Sequence, residues 1–104
     1  MASRYGIEFL ASAARELTKL PRDAQSRVID AVGALADEPR PAGAKLLSGT
    51  GRERVWRIAV GQYRVLYLIE DKQVTVVIVR VADRREAYGQ PAIKRLLANL
   101  RRHP

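Results

Sequence analysis

Arginine is the residue type in this sequence best suited to chemistry on a charged ligand. Fifteen of the nineteen basic residues are arginines, and with eleven acidic residues the formal net charge is +8. A guanidinium donates two parallel hydrogen bonds to a phosphate, whereas lysine acts as a point charge and more commonly serves solubility. The composition therefore predicts a polyanionic partner, with a generally basic soluble protein as the simpler alternative.

The positive charge is concentrated in the second part of the chain. Residues 1–39 carry five basic and six acidic side chains, whereas residues 40–104 carry fourteen and five, a net charge of +9. We therefore expect the basic surface to be built by residues after position 40.

Cysteine and histidine, two residue types common in catalytic and metal sites, are absent or nearly absent. The sequence has no cysteine, and its single histidine is His103. Disulfides, thiolate catalysis and cysteine-ligated zinc are thereby excluded, and a histidine-based metal site or a Ser-His-Asp triad is not expected. We predict neither a metal nor a cofactor.

The length and composition predict one globular domain over residues 1–104, since 47% of the residues are hydrophobic and 29% are charged. The longest uncharged apolar run, Val74–Val79, is far shorter than the roughly 20 residues that span a bilayer. The first nine residues lack the apolar stretch of a secretory signal. These features predict a cytoplasmic protein without a membrane span.

Hydrophobic periodicity predicts a strand and two helices in the first half. Apolar residues alternate over residues 5–9, as in a strand with one buried face. Helical spacing follows over residues 10–20, with Ser12 as a candidate cap, and resumes at Pro21 in a stripe that stops at Pro39. The two helices are expected to form a hairpin.

The second half predicts a loop, three strands and a short basic amphipathic helix, over residues 39–51, 55–60, 63–69, 74–81 and 91–102. A tight turn at Gly61-Gln62 and a polar turn at 70–73 join the strands. The order βααβββα predicts an α+β fold in which the helical hairpin packs on a small antiparallel sheet.

Several short motifs follow one another in a specific order. They are Tyr5-x-Ile7-x-Phe9, Leu17-Thr18-Lys19-Leu20-Pro21, Pro39-Arg40-Pro41, Lys45-Leu46 with Gly49, Arg57-Ile58-x-Val60-Gly61-x-Tyr63-Arg64-Val65-x-Tyr67, and Val81-Ala82-Asp83-Arg84-Arg85-Glu86-x-Tyr88. In this order the chain resembles the RelE/ParE superfamily of type II toxins, and its RelE branch in particular. The resemblance implies a small α+β toxin that cleaves messenger RNA on the ribosome.

The resemblance also implies a set of site residues. Its catalytic candidates are Arg57, Arg64, Arg84 and Tyr88, and its further RNA-binding candidates are Lys45, Arg54 and Arg85. The chain departs from the RelE pattern at two positions. Ala59 stands where RelE enzymes can carry a second lysine, and Asp83 stands where relatives often have histidine or lysine.

Cleavage of RNA without metal or histidine can use the 2′-hydroxyl as nucleophile and leave a cyclic phosphate. Arginine does not lose its proton in proteins, so Arg57, Arg64 and Arg84 are expected to stabilise charge on the scissile phosphate. Tyr88 is the candidate for proton transfer or for stacking on a base. Such a site would depend on a well-oriented substrate, which by the resemblance the ribosome supplies.

The resemblance implies an acidic, partly disordered antitoxin that forms a hetero-oligomer with the toxin, and we expect it to displace the helix at 91–102. Two other functions stay open. A ParE-like protein would inhibit DNA gyrase without nuclease activity, and a catalytically degenerate member would be a basic RNA-binding module.

Overall fold

A computed structural model describes residues 4–48 and 53–89 of the chain. Within these residues the elements are, in chain order, β1 (Gly6–Phe9), α1 (Ala11–Thr18), α2 (Arg22–Leu35), β2 (Lys45–Leu46), β3 (Trp56–Val60), β4 (Tyr63–Glu70), a 3-10 turn (Asp71–Gln73) and β5 (Thr75–Asp83). The helix predicted over 91–102 lies outside the described residues. Neither α1 nor α2, the helices of residues 4–48 and 53–89, could span a bilayer.

The five strands form one sheet in the order β1-β5-β4-β3-β2. Pairing is antiparallel except between β1 and β5, which are parallel. The α+β class is confirmed, but the sheet is mixed where an antiparallel one was predicted, because strand periodicity carries no information on strand direction. The predicted loop over 39–51 also contains the short strand β2.

The two helices begin differently from the prediction. The N-cap of α1 is Leu10, whose extended backbone precedes the helix and whose carbonyl accepts a hydrogen bond from the Ala14 amide at 2.9 Å. Ser12 lies inside α1 and is not its cap. Pro21 precedes α2 as its N-cap, and the side-chain Nε2 of Gln25 donates to the Leu20 carbonyl at 2.8 Å, which fixes the turn between the helices.

The main core lies between the helices and one face of the sheet. Fully or nearly fully buried residues line it from both layers: Ala13, Val28, Val32, Leu35, Ile58, Val65, Tyr67, Val76, Ile78 and Val81. Trp56 is half-buried at the margin of this core. Burial of this apolar surface holds the helical layer on the sheet.

Strand β5 is buried on both faces, which suits its near-continuous apolar sequence. Its register with β4 shifts at one point: Leu66 pairs with Arg80, whereas the next residue, Tyr67, pairs with Ile78. Val79 is therefore an extra residue, and the strand contains a β-bulge. A second cluster of Val55, Leu66, Leu68, Val77 and Val79 lies on the sheet face opposite the helices.

The turn between β3 and β4 is the predicted Gly61-Gln62. Val60 pairs with Tyr63 across a two-residue loop, and Gly61 has a φ of 59°. Such a φ at the first loop position is adopted readily by glycine and costs an L-residue about 1–2 kcal/mol.

We therefore expect Gly61→Ala to lower the free energy of unfolding by about 1–2 kcal/mol. Gly33→Ala is the matched control, because Gly33 lies within α2 and, apart from its chain neighbours and the backbone of its own helix, no atom lies within 4 Å of the position of an added Cβ. That variant should gain roughly 0.5–1 kcal/mol through helix propensity. Urea unfolding of both variants measures the contrast, and equal effects of the two substitutions would contradict it.

Candidate functional site: the arginine face of the sheet

Three arginines lie on the sheet face opposite the helices, which we call the arginine face: Arg57 on β3, Arg64 on β4 and Arg80 on β5. Residues directly opposite on neighbouring strands share a face. The register pairs Lys45 with Arg57, Arg57 with Leu66, and Leu66 with Arg80. Two of the predicted site residues, Arg57 and Lys45, thus lie side by side in a row that crosses four strands.

Arg64 lies on the next row of the same face, between two small residues. It pairs with Ala59 on β3 and with Ala82 on β5. Its Nη1 donates to the carbonyls of Gly61 at 2.9 Å and Tyr63 at 3.0 Å. These two backbone acceptors orient the guanidinium, and the small neighbours leave room beside it for a ligand.

Arg84 is tied to the same turn as Arg64. Its backbone amide donates to the Gln62 carbonyl at 2.8 Å, directly beyond the end of β5. The Arg64 guanidinium contacts one residue of the Gly61-Gln62 turn and the Arg84 backbone contacts the other. The structure therefore brings these two predicted residues to one corner of the sheet.

Tyr88 and Arg85 lie in the turn that follows β5. Backbone amides of Glu86 and Ala87 donate to the Asp83 carbonyl at 2.9 and 3.0 Å, and Ala87 is fully buried. Tyr88 is 37% exposed and Arg85 is exposed. The Asp83 carboxylate accepts the Arg85 backbone amide at 2.9 Å and lies 3.6 Å from its Nε, so Asp83 organises the turn.

The structure places Arg54 apart from the arginine face. With Arg40, Trp56, Ile69 and Asp71 it lines a cleft of about 210 Å³ at the opposite end of β3 and β4. The Arg40 guanidinium lies 5.7 Å from the centroid of the Trp56 ring, within the range of a cation–π contact. Arg54 and Arg64 therefore do not form one local site.

Ionic hydrogen bonds hold this cleft together. The Asp71 carboxylate accepts Arg40 Nη2 at 2.9 Å and the Tyr5 hydroxyl at 2.8 Å. The hydrogen bond from Arg40, followed by that from Tyr5, lowers the pKa of the Asp71 carboxyl. The hydrogen bond to Asp71 in turn raises the pKa of the Tyr5 hydroxyl. These hydrogen bonds thus connect Tyr5, just before β1, with the loop before β2 and the turn after β4.

Sequence reasoning missed Arg80 and the Tyr5–Asp71–Arg40 network. Strict alternation along β5 predicts that Arg80 faces the helices. A β-bulge places it on the arginine face instead, and no local feature of the sequence predicts this bulge. The network joins residues far apart in the chain, and although the motifs Tyr5-x-Ile7-x-Phe9 and Pro39-Arg40-Pro41 contain two of its members, they do not show that these members meet at Asp71. Within residues 4–48 and 53–89, no group of three His, Asp or Glu side chains is arranged to hold a metal ion.

The arrangement suits the binding of an anion more than proton transfer. The polar side chains near the Gly61-Gln62 end of the arginine face are guanidinium and ammonium groups, which donate hydrogen bonds and carry fixed charge. Tyr88 is the titratable hydroxyl among the predicted catalytic residues. Stabilisation of a negatively charged reacting group is therefore the chemistry that this geometry supports best.

Comparison with known proteins matches the chain to toxins in each case. A family model described as the ParE toxin of type II toxin–antitoxin systems matches residues 7–88. Toxin RelG of Mycobacterium tuberculosis is 40% identical over 88 residues, which are 81% of this chain and 95% of RelG. Toxin RelE of the same organism is 32% identical over 85 residues, 81% of this chain and 86% of that toxin.

Two solved structures share the fold. The toxin–antitoxin complex RelBE2 of M. tuberculosis contains a chain with 36% identity and a TM-score of 0.68, over 77% of this chain and 98% of that one. The archaeal RelE–RelB complex of Pyrococcus horikoshii contains a chain with 26% identity and a TM-score of 0.69, over 81% and 99% of the two chains.

The cleft generates a pH-dependent prediction. A carboxyl whose pKa is lowered by folding contributes stability above its unfolded pKa of about 3.9, and that stability is lost as the pH falls through the lower folded value. Asp71→Asn should therefore be less stable than the wild type at pH 7, and the difference should shrink below about pH 4. Urea unfolding at several pH values measures it. Asp30→Asn, on the exposed side of α2, is the control, and a pH-independent deficit in Asp71→Asn would contradict the prediction.

Proposed function

The chain belongs to the ParE toxin family of type II toxin–antitoxin systems, and we propose that this RelE-like toxin is a metal-independent endoribonuclease that cleaves messenger RNA on the ribosome. The observation that carries the proposal is the corner where the Arg64 guanidinium and the Arg84 backbone contact the same Gly61-Gln62 turn. The Arg64 guanidinium is oriented there by two carbonyls and Arg84 is anchored through its backbone, so both arginines start from one corner and can reach a single phosphate. The proposed place of action is the cytoplasm, where ribosomes translate.

In the proposed reaction the RNA supplies its own nucleophile. The 2′-hydroxyl loses its proton and attacks the adjacent phosphorus, the bond to the 5′-oxygen breaks, and that oxygen takes up a proton, which leaves a cyclic phosphate. Negative charge increases on the phosphate oxygens in the transition state. Arg64, whose guanidinium is oriented by two carbonyls, is suited to stabilise it, together with Arg57 and Arg84.

Tyr88 is the proposed group for proton transfer or for stacking on a base next to the cleaved bond. Its partly exposed ring lies in the turn that also holds Arg84. A tyrosine and arginines are weak general acids and bases near neutral pH. The reaction would therefore be slow on free RNA and would depend on the orientation that the ribosome imposes.

Neutralisation is assigned to a cognate antitoxin. The RelE-like relatives from M. tuberculosis and P. horikoshii were solved as complexes with their antitoxins. We propose an acidic, partly disordered antitoxin for this chain, whose carboxylates would pair with the arginines and cover them. The expected displacement of the helix at 91–102 concerns residues outside the described part of the chain.

Gyrase inhibition is the second candidate, because the matching family model carries the ParE name. The names of the relatives, RelG and RelE, and the grouped arginines favour the nuclease. Mapping of transcript ends after induction separates the candidates. Cuts at defined codon positions support the nuclease, DNA breaks that depend on gyrase support the ParE-like function, and neither result would indicate an inactive RNA-binding module.

The nuclease proposal predicts a large effect of its two corner arginines. Arg64→Ala or Arg84→Ala should each lower the rate of ribosome-dependent cleavage roughly 100-fold, because each removes a donor worth about 3 kcal/mol in the transition state. Arg22→Ala, an exposed change on α2, is the matched control and should retain the wild-type rate. Full activity of a folded Arg64→Ala, Arg84→Ala double variant would exclude the assignment.

The positive charge of residues 40–104 predicts that ribosome association is strongly electrostatic. The logarithm of the association constant should fall linearly with the logarithm of salt concentration, by about 0.7–0.9 for each phosphate contacted. Equilibrium binding at several salt concentrations measures the slope. Salt-independent binding, or cleavage of naked RNA as fast as that of ribosome-bound RNA, would contradict the proposal.

A further inference from the structure

Arg80 is a half-buried arginine that the proposed reaction does not use. Its Nε is buried and finds no hydrogen-bond acceptor among residues 4–48 and 53–89. A guanidinium remains charged in proteins, and a buried donor without an acceptor is costly. The side chain is thus a cation with one buried, unpaired donor, and its half-exposed remainder is left for a ligand.

The sheet register brings Arg80 into the row of the predicted site residues. It faces Leu66, and Leu66 faces Arg57 on its other side. Neighbouring strands are about 4.8 Å apart, so the Arg57 and Arg80 backbones are separated by about 10 Å with an apolar side chain between them. Arg64 lies two residues before Leu66 on the same face of β4. The three arginines therefore surround Leu66.

The acidic side chains of this face lie at its other end. Glu8 is opposite Val77 and Glu70 is opposite Thr75, both towards the start of β5. The ion pairs recorded among the described residues involve Arg4, Arg27, Arg40 and Arg85. Nothing in the described sheet thus compensates the charge of Arg80, and an anionic ligand would do so.

We propose that Arg80 contacts a phosphate of the bound RNA next to the phosphate held by Arg64, an inference that rests on the proposed function. Single-stranded RNA presents a series of phosphates. A row of guanidiniums on neighbouring strands can contact several of these phosphates at once, so it suits RNA better than a ligand with a single carboxylate. Arg80 is accordingly an RNA-binding residue. It positions the substrate and takes no part in proton transfer.

The test measures binding of a short single-stranded RNA whose 2′-hydroxyls are methylated, so that it cannot be cleaved. Arg80→Gln should bind it roughly tenfold more weakly, and the slope of log affinity against log salt should be smaller by about 0.7, the value for one phosphate on a single strand. Arg80→Lys should keep the slope and lose part of the affinity, because lysine retains the charge without the fork. Arg22→Gln on α2 is the control and should leave both quantities unchanged.

An unchanged slope in folded Arg80→Gln, even with reduced stability, would overturn the inference and leave Arg80 a packing residue or an antitoxin contact. If Arg80→Gln does not fold, wild-type affinity in Arg80→Lys overturns it. The proposed function is judged separately by the wild type. If the wild type cleaves RNA on the ribosome but the salt slope of Arg80→Gln is unchanged, only the role of Arg80 is rejected. If the slope is reduced but the wild type does not cleave, the RNA contact of Arg80 stands and the proposed nuclease activity is rejected.

Discussion

The pairing of β4 with β5, and the extra residue within it, decides which side chains face the helices and which face the site. Before the bulge, Val76 and Ile78 point to the main core and Val77 to the opposite face. If β5 continued this alternation without a bulge, Arg80 would point into the core and Val81 would point out of it. The bulge exchanges the two, since one extra residue reverses the facing of every later side chain.

The same sheet thereby serves two separate purposes. On the helix side, Tyr67 is fully buried, its hydroxyl donates to the Pro39 carbonyl at 2.8 Å, and burial raises the pKa of Tyr67 to about 12. This bond anchors the loop that carries Arg40 to the middle of the sheet. On the other side the backbone displays arginines at fixed spacing. Arg57, Arg64 and Arg80 are therefore positioned by the strands of the sheet and not by a loop.

The sequence predicted the elements well because their signals are local. Alternation predicted β1 and β3, a near-continuous apolar run predicted β5, and helical spacing predicted α1 and α2. The Gly61-Gln62 turn led into β4 and is also where Arg64 and Arg84 meet. The parallel partner of β1, the two-residue strand at Lys45–Leu46 and the bulge at Val79 depend on pairings between distant residues. Motif resemblance selected Arg57, Arg64 and Arg84 without their geometry. It passed over Arg80, whose position depends on the bulge.

The parallel pairing of the first and last described strands also has a consequence for biosynthesis. Gly6 pairs with Thr75, and the Glu16 side chain of α1 accepts a hydrogen bond from the Val81 amide at 2.9 Å. The N-terminal strand and helix thus find their partners only after β5 has left the ribosome, and such long-range pairing is slow to form. Arg80 and Arg84 also emerge at this stage. A nascent chain therefore lacks a complete arginine face until nearly the whole fold has been synthesised.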